Sequence, residues 1–343
     1  MQKYLLLFLF GIFFTYQSVA SIDKKQHFSV SSDLFSSISL DVEYGNVMFY
    51  VTSHDSVIVD VRIEMNNISE SKATKELKGF NVIHRVRDGV LSMNQTRGAV
   101  TNTVRKFRFN YRIGVPKYYP LQIKSLFSDV SISNWDQSLS VDGNYSNFYF
   151  QGSVGKELKG KIKMKYCNMN ADTLLASNVT ISGGSLSAGC IKGGNVYSSY
   201  SKVNFKYAER VALQGSYDQW NILKAHGIKM TGKSSQIKLG YISGEMNIVN
   251  SLAPVYIDDI SLTNTNVNIK LSKADLFLDA NMNTLNNVYF SLIHGVLDCN
   301  SSTPKFTESV VENKTIYEYR DNSIEGNGQV RVDMTYGTIY VNH

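Results

Sequence analysis

Four aspartates are the residues whose type and spacing come closest to a catalytic arrangement. Asp258 and Asp259 are adjacent, and Asp275 and Asp279 follow about one repeat later. Cleavage of a glycosidic bond needs two carboxyls roughly 5 to 9.5 Å apart, and strands stacked at ~4.8 Å could bring such acids together. At turns the same residues would instead cap backbone amides. Lysines form the second group. Lys161, Lys163 and Lys165 alternate with Ile162 and Met164, and Lys202, Lys206, Lys224, Lys229, Lys233 and Lys238 follow. On outward positions of successive strands they predict a basic ladder able to hold an anionic polymer, or a solvated face that discourages aggregation. His27, His54, His84, His226, His294 and His343 are scattered singly, without His-x-His or His-x-x-x-His spacing, so no metal site is expected. Neither a Gly-x-Ser-x-Gly elbow nor a Walker loop is present, and no cofactor is implied. Gly183-Gly184 and Gly193-Gly194 read as corners rather than phosphate cradles.

Whatever these residues do, a repeat must position them. Tyr166, Gly183, Tyr200, Tyr217, Ser234 and Leu252 are spaced 17, 17, 17, 17 and 18 apart. Each is followed at +3 and +5 by residues of inward type: Met169/Ala171, Leu186/Ala188, Val203/Phe205, Trp220/Ile222, Ile237/Leu239 and Val255/Ile257. The pattern begins earlier, at Phe127 with Val130/Ile132 and Tyr145 with Phe148/Phe150, and is expected to end near Leu285 with Val288/Phe290. Val267 and Ile269 are assigned to a coil in between. A fixed period with strand composition predicts stacked coils sharing one core. The expected fold is all-β: a single-stranded parallel β-solenoid of ~17-residue coils, preceded by a β-rich N-terminal cap with one short helix.

Parity explains why a coil must bend. Val211, Leu213, Gly215 and Tyr217 share one strand face, whereas Trp220 and Ile222 have the opposite parity. Both sets can point inward only if the chain turns between Tyr217 and Trp220. Gly215, Gly232 and Asn250 precede the corner by two residues, where small or φ-tolerant side chains suit a tight place.

The flanks read differently. In residues 21–120, Ile38 to Tyr44 and Val57 to Ile63 alternate as strands, with further strands expected at Asn81–Val86, Gly89–Met93 and Lys106–Val115. Glu70 to Leu77 is the one convincing helix. Residues 121–293 hold the repeats, and 294–343 hold a polar excursion, Asn300–Gly328, and terminal strands. Asp41-Val-Glu-Tyr44-Gly45-Asn-Val47-Met-Phe49 matches Asp333-Met-Thr-Tyr336-Gly337-Thr-Ile339-Tyr-Val341, so both chain ends are expected to join the stack.

Residues 1–20 have the layout of a secretory signal: Lys3, an apolar run from Tyr4 to Phe14, then Ser18-Val19-Ala20. That run is well short of the roughly 20 residues needed to span a bilayer, and no later segment is apolar enough to do so. Export to the periplasm, the cell surface or the medium is expected. The first cysteine is Cys167, so lipid attachment at a new N-terminus is unsupported. Cys167, Cys190 and Cys299 are odd in number, which excludes a complete disulfide framework but leaves one Cys167–Cys190 bridge open. Cys167 holds the place that Ser146 and Ser201 hold after their tyrosines. Net charge +6 is mild and demands no nucleic-acid partner.

The chain resembles a family of secreted, strand-rich bacterial proteins called putative adhesins, whose function is unknown. The likeness lies in the signal, the opening Tyr44-Gly45-Asn-Val47 strand, and the entry Ile113-Gly-Val115-Pro116 followed by Pro120-Leu121-Gln-Ile123. It continues in the Tyr-Ser/Gly/Asp-x-Val-x-Ile coils, as at Phe127-Ser128-Asp129-Val130 and Tyr217-Asp218. The resemblance implies a β-helical shape and surface adhesion, and supplies no catalytic residues. The expected function is a non-catalytic, adhesin-like binding protein presenting stacked faces to a surface glycan or envelope protein. The alternatives are a β-helical lyase or glycoside hydrolase using the aspartates, or a structural or regulatory envelope component.

Overall fold

The structure is a computed structural model that describes residues 22–66, 69–97, 107–116, 119–135, 137–154, 161–261, 264–279, 285–300, 305–321 and 328–341. The segment read as an export signal lies outside these residues.

Alternating sequences become strands throughout. The chain opens with β1 (Ile22–Ser31), β2 (Ser37–Glu43), β3 (Gly45–Thr52) and β4 (Ser56–Met65), then α1 (Glu70–Leu77), β5 (Asn81–Arg87), β6 (Val90–Thr96) and β7 (Phe107–Pro116). The repeats supply β8 (Leu121–Leu126), β9 (Asp129–Ser133), β10 (Leu139–Asn144), β11 (Asn147–Val154), β12 (Lys161–Lys165), β13 (Asn168–Ser182) and β14 (Ser185–Ser199). They continue as β15 (Lys202–Glu209), β16 (Ala212–Ser216), β17 (Gln219–His226), β18 (Lys229–Lys233), β19 (Gln236–Ser243), β20 (Glu245–Ser251), β21 (Val255–Ile260), β22 (Asn266–Ser272) and β23 (Leu276–Leu278). Last come β24 (Asn287–Cys299), β25 (Thr307–Val311), β26 (Lys314–Arg320) and β27 (Gln329–Val341).

These strands stack in two ladders. The front ladder holds the strands that follow each corner: β3, β9, β11, the first half of β13, the first half of β14, β15, β17, β19, β21 and β23, all parallel. The back ladder holds β2, β8, β10, β12, the second halves of β13 and β14, β16, β18, β20 and β22, also parallel. Because β13, β14, β24 and β27 run through both ladders, the whole is one sheet of 27 strands. In its middle Leu186, Val203, Trp220 and Ile237 are successive register partners. All twelve expected +3 and +5 residues from Met169 to Ile257 are buried.

Each corner is one residue in the left-handed region. Tyr44, Phe127, Tyr145, Tyr166, Gly183, Tyr200, Tyr217, Ser234, Leu252, Lys273, His294 and Tyr336 have φ between 48° and 66°. One such residue reverses the parity of the strand, which is what the inward pattern requires. Its cost, of the order of 1 kcal/mol away from glycine, is offset by hydrogen bonds between coils. Tyr200 N–H donates to Ser216 O at 3.1 Å, and Lys202 N–H to Gly184 O at 2.9 Å. The residue after the corner points inward, and its N–H meets a side chain of the next coil. Ser128 N–H donates to Ser146 Oγ at 3.2 Å, Ser146 N–H to Cys167 Sγ at 3.4 Å, and Ser201 N–H to Asp218 Oδ1 at 2.8 Å. Cys167 thus occupies a serine position, and all three cysteines are thiols, so the bridge does not form.

Three expectations need correction. The sheet is mixed rather than purely parallel: β1 runs antiparallel to β4, β4 to β7, β5 to β6, β24 to β26 and β25 to β26. Antiparallel pairing is confined to the two ends, where a further rung would otherwise be left unpaired. Leu285 is not a corner. Val288 and Phe290 lie on the back ladder opposite Val330 and Val332, and the last corners are Lys273, His294 and Tyr336. Val267 and Ile269 belong to the intervening coil as expected, on its back-ladder strand β22. Within the polar segment Asn300–Gly328, residues 307–320 form a hairpin that covers the outer side of β24.

The expected helix is present over Glu70–Leu77, with Ala73 and Leu77 buried. Lys24 Nζ donates to the Phe80 and Leu77 carbonyls at 2.9 and 3.4 Å, a cation placed at the helix C-terminus. Phe80 packs on Phe107 and Phe109, with centroids 4.8 and 5.9 Å apart, and closes this end of the core.

Candidate binding surface

The front ladder has an outer face that its own geometry makes concave. After the inward residues at +3 and +5, the next inward residue is at +8: Ala208 after Phe205, Ala225 after Ile222, Ile242 after Leu239. Two successive residues therefore face outward, as Leu223 and Lys224 do in β17, and β15, β17 and β19 share this step. Stacked bends make a trough along the rod.

Two cavities lie end to end in it. One, of about 720 Å³, is bordered by Lys25, His27, Met48, Arg62, Arg112 and Tyr149 among others. The second, of about 670 Å³, is bordered by Tyr149, Asn170, Ser187, Asn204, Lys206 and Leu223 among others. Tyr149, 43% exposed, borders both. From β4 to β17 the trough crosses nine strands, on the order of 40 Å at the usual strand spacing.

Most charges at the N-terminal end are paired. Arg62 Nε meets Asp23 at 2.8 Å and Glu64 at 3.1 Å, Arg108 meets Asp129 at 2.7 Å, and His27 Nδ1 meets Asp60 at 2.8 Å. Beyond Tyr149 the outward residues include the short polar Asn170, Ser187, Asn204 and Asn221, with Lys206 and Leu223 beside them. A side-chain chain runs along the rim, with Asn147 Nδ2 donating to Asp129 Oδ1 at 2.8 Å, Asn168 Nδ2 to Asn147 Oδ1 at 3.1 Å and Ser185 Oγ to Asn168 Oδ1 at 2.7 Å.

A second surface feature is the row of corner rings. Tyr44, Phe127, Tyr145 and Tyr166 stack with centroids 5.1, 5.2 and 5.0 Å apart, the row breaks at Gly183, and Tyr200 and Tyr217 resume at 4.9 Å. These rings lie outside the core, Tyr200 being 67% exposed. They cover one another's faces and offer edges and hydroxyls to solvent. Tyr256, Phe277 and Tyr340 form another stack on the front ladder, at 4.7 Å spacing.

The lysines do not form one ladder. Lys202, Lys206, Lys224 and Lys238 lie on front-ladder strands, whereas Lys161, Lys163, Lys165, Lys229 and Lys233 lie on back-ladder strands. Among the described residues no two of them are register partners: Lys163 faces Asp142 and Thr180, Lys229 faces Ala212 and Asn247, and Lys238 faces Asn221 and Tyr256. Coil-to-coil spacing brings equivalent positions together, and these lysines hold different positions. Lys206 alone borders the trough.

Of the aspartates, Asp258 and Asp279 follow the register pair Ile257–Leu278 and are exposed. Asp275 Oδ1 accepts the Thr338 N–H at 2.9 Å, and Asp259 Oδ1 accepts its neighbour's N–H, from Ile260, at 2.8 Å. Two of the four thus act as backbone caps. The buried acid is Asp218, which stands where other coils have serine and accepts Ser198 Oγ–H at 2.9 Å. Burial pushes its carboxyl above the ordinary range, partly countered by hydrogen bonds from Ser201 and Ser198. Burial likewise raises the Cys190 thiol, beside Lys192 and Glu209, so it is not poised as a nucleophile. No group of three or more potential metal ligands is found among the described residues. None of their helices is long and apolar enough to cross a membrane.

No protein-family model matches the chain, and no characterised relative matches it in sequence. Three solved structures align with it along most of their length. A putative cell adhesion protein from Clostridium sporogenes ATCC 15579 is 12% identical, with 94% of this chain and 99% of that one covered and a TM-score of 0.21. A putative adhesin from Bacteroides fragilis NCTC 9343 is 10% identical, covering 93% and 97%, with a TM-score of 0.27. A putative adhesin from Parabacteroides distasonis ATCC 8503 is 12% identical, covering 94% and 98%, with a TM-score of 0.32. Scores this low leave the reading of the trough to its own geometry.

Proposed function

We propose that this chain is an exported, non-catalytic, adhesin-like binding protein. In this reading its parallel coils are a β-solenoid, and the trough on the front ladder is the ligand surface. The observation that carries it is the continuity of the trough, with Tyr149 standing exposed where its two cavities meet. A planar aromatic in the floor of a long groove is a platform for a ring or an apolar face of a ligand. Lys206 borders the groove, and Lys202 and Lys238 add positive charge on the same ladder. Lys161, Lys163, Lys165 and Lys229 belong to the opposite ladder, where they support a separate basic surface or keep the rod soluble.

The test fills the groove without touching the core. Ser187 points outward from β14 and borders the second cavity. Binding of the labelled full chain to a glycan array and to whole bacterial cells should drop at least about tenfold in Ser187→Trp, the scale expected when a central contact is blocked. Unchanged binding to every surface that the parent chain recognises would remove the trough from consideration.

A further inference from the structure

The two halves of the trough carry different unsatisfied chemistry. Arg112 lies on β7 opposite Met48, and its guanidinium sits 5.1 Å from the Tyr50 ring centroid. That ring lies across Gly114, where a Cβ would stand 2.8 Å from the Tyr50 hydroxyl, so the absence of a side chain at Gly114 leaves room for the ring under the guanidinium. Asp60, across the strand from Arg112, is bonded to His27, and no carboxylate among the described residues forms an ion pair with Arg112. Lys25, directly opposite Arg62, is also without an ion pair among them. Arg112 and Lys25 therefore border this cavity without an ion pair of their own, beside Arg62 and Arg108, which are held by carboxylates.

Past Tyr149 the need is for hydroxyls instead. Asn170, Ser187, Asn204 and Asn221 occupy the same outward position on four successive strands. The three amides have no hydrogen-bond partner among the described residues, in contrast to the bonded row of Asn147, Asn168 and Ser185 beside them. Each amide offers two donors and an acceptor, repeated at the strand spacing of ~4.8 Å. An extended 1,4-linked pyranose chain repeats at a closely similar interval.

Resting on the trough reading, we propose that the ligand is a linear acidic glycan. It lies along the stack with a sugar carboxylate on Arg112, a ring against Tyr149 and hydroxyls on Asn170, Asn204 and Asn221. A constant row of amides, each with two donors and an acceptor, suits a chain of hydroxyl-bearing rings better than a peptide, whose own polar groups alternate in direction along the strand. Arginine rather than lysine suits the charge, because a planar guanidinium can take a carboxylate through two hydrogen bonds.

The experiment measures binding of the full chain to polygalacturonate, to its fully methyl-esterified form and to polyglutamate at low and moderate salt. Polygalacturonate is expected to bind best. Esterification, or Arg112→Gln, should weaken it by about tenfold or more, as for loss of one hydrogen bond to a charged group. Arg112→Lys should retain part of the affinity, and all variants should melt as the parent does. Equal binding of the methyl ester or of polyglutamate, no effect of Arg112→Gln, or no binding of polygalacturonate overturns the proposal. Ser187→Trp separates the two levels. If it abolishes binding of an uncharged ligand that Arg112→Gln leaves intact, the trough stands and the acidic ligand falls. If it leaves all binding intact, both fall.

Discussion

The middle of the stack and its two ends solve different problems. From Tyr166 to Leu252 spatial order follows chain order, and each strand pairs with the strands one coil before and after it. At the ends, order is broken in the same way twice. The N-terminal coil β2–β3 sits inside β6 and β7, against β8 and β9. The C-terminal strand β27 sits between β22–β23 and β24. Both inserted coils carry Tyr-Gly at the corner, Tyr44-Gly45 and Tyr336-Gly337, where the middle coils mostly carry Ser, Cys or Asp after it. A repeated rung is stable only against another rung, so the ends are closed by segments from elsewhere in the chain.

Removing β27 tests that difference most severely. Truncation after Asp321 should leave β24 paired only with β26 and the β22 and β23 edges bare, with loss of cooperative unfolding and self-association in gel filtration. A truncated chain that stays monomeric and melts like the parent would show that the end is dispensable. Next in size is the glycine after a corner. A Cβ on Gly184 would lie 2.0 Å from the Cys167 carbonyl oxygen, and one on Gly337 would lie 2.2 Å from the Ala274 carbonyl oxygen. Gly184→Ala and Gly337→Ala should each cost about 3 kcal/mol in urea unfolding, in the range of severe backbone conflicts. A much smaller loss for Gly337→Ala alone would mean the end coil yields where the middle does not.

Asp218 gives a smaller, pH-dependent effect within the middle. Because burial raises its carboxyl, the folded chain keeps this proton to higher pH than the unfolded chain does. Its contribution is full below the unfolded value of about 3.9 and is lost as pH rises through the elevated folded value. Against Asp218→Asn, which does not titrate, the parent should lose urea stability between acid and neutral pH. A difference that does not vary with pH would mean that folding leaves this carboxyl's hold on its proton unchanged. The mildest change is Gly183→Tyr, which would complete the row of corner rings. Position 183 already has the corner conformation that tyrosine adopts in other coils, and the nearest obstacle is the movable Tyr166 ring. Stability should shift by less than about 1 kcal/mol, while near-ultraviolet dichroism from stacked tyrosines increases.

The same contrast governs what could be read from sequence. In the middle, period and parity are local, so the corner positions, the +3 and +5 core residues and the helix over Glu70–Leu77 were legible. Lys273 and His294 escaped because each follows the preceding corner by 21 residues instead of 17. The insertion of terminal coils was foreshadowed by the Tyr-Gly match, but their neighbours depend on pairings across scores of residues, which no window captures. The trough was hidden for another reason. It depends on the inward step from +5 to +8 and on Tyr149, Asn170 and Arg112 meeting on one face, whereas charge counting drew attention to lysines that lie on both ladders.

The seat of β27 also dictates an order of assembly. β24 reaches the stack only through β27, so the coil it forms can wait as a hairpin with β26 but cannot join its neighbours until the last residues have been made. Contacts so distant along the chain form slowly. Joining β24 to the rod is therefore a single latching event, in which β27 slides in between it and the older coil and fixes both.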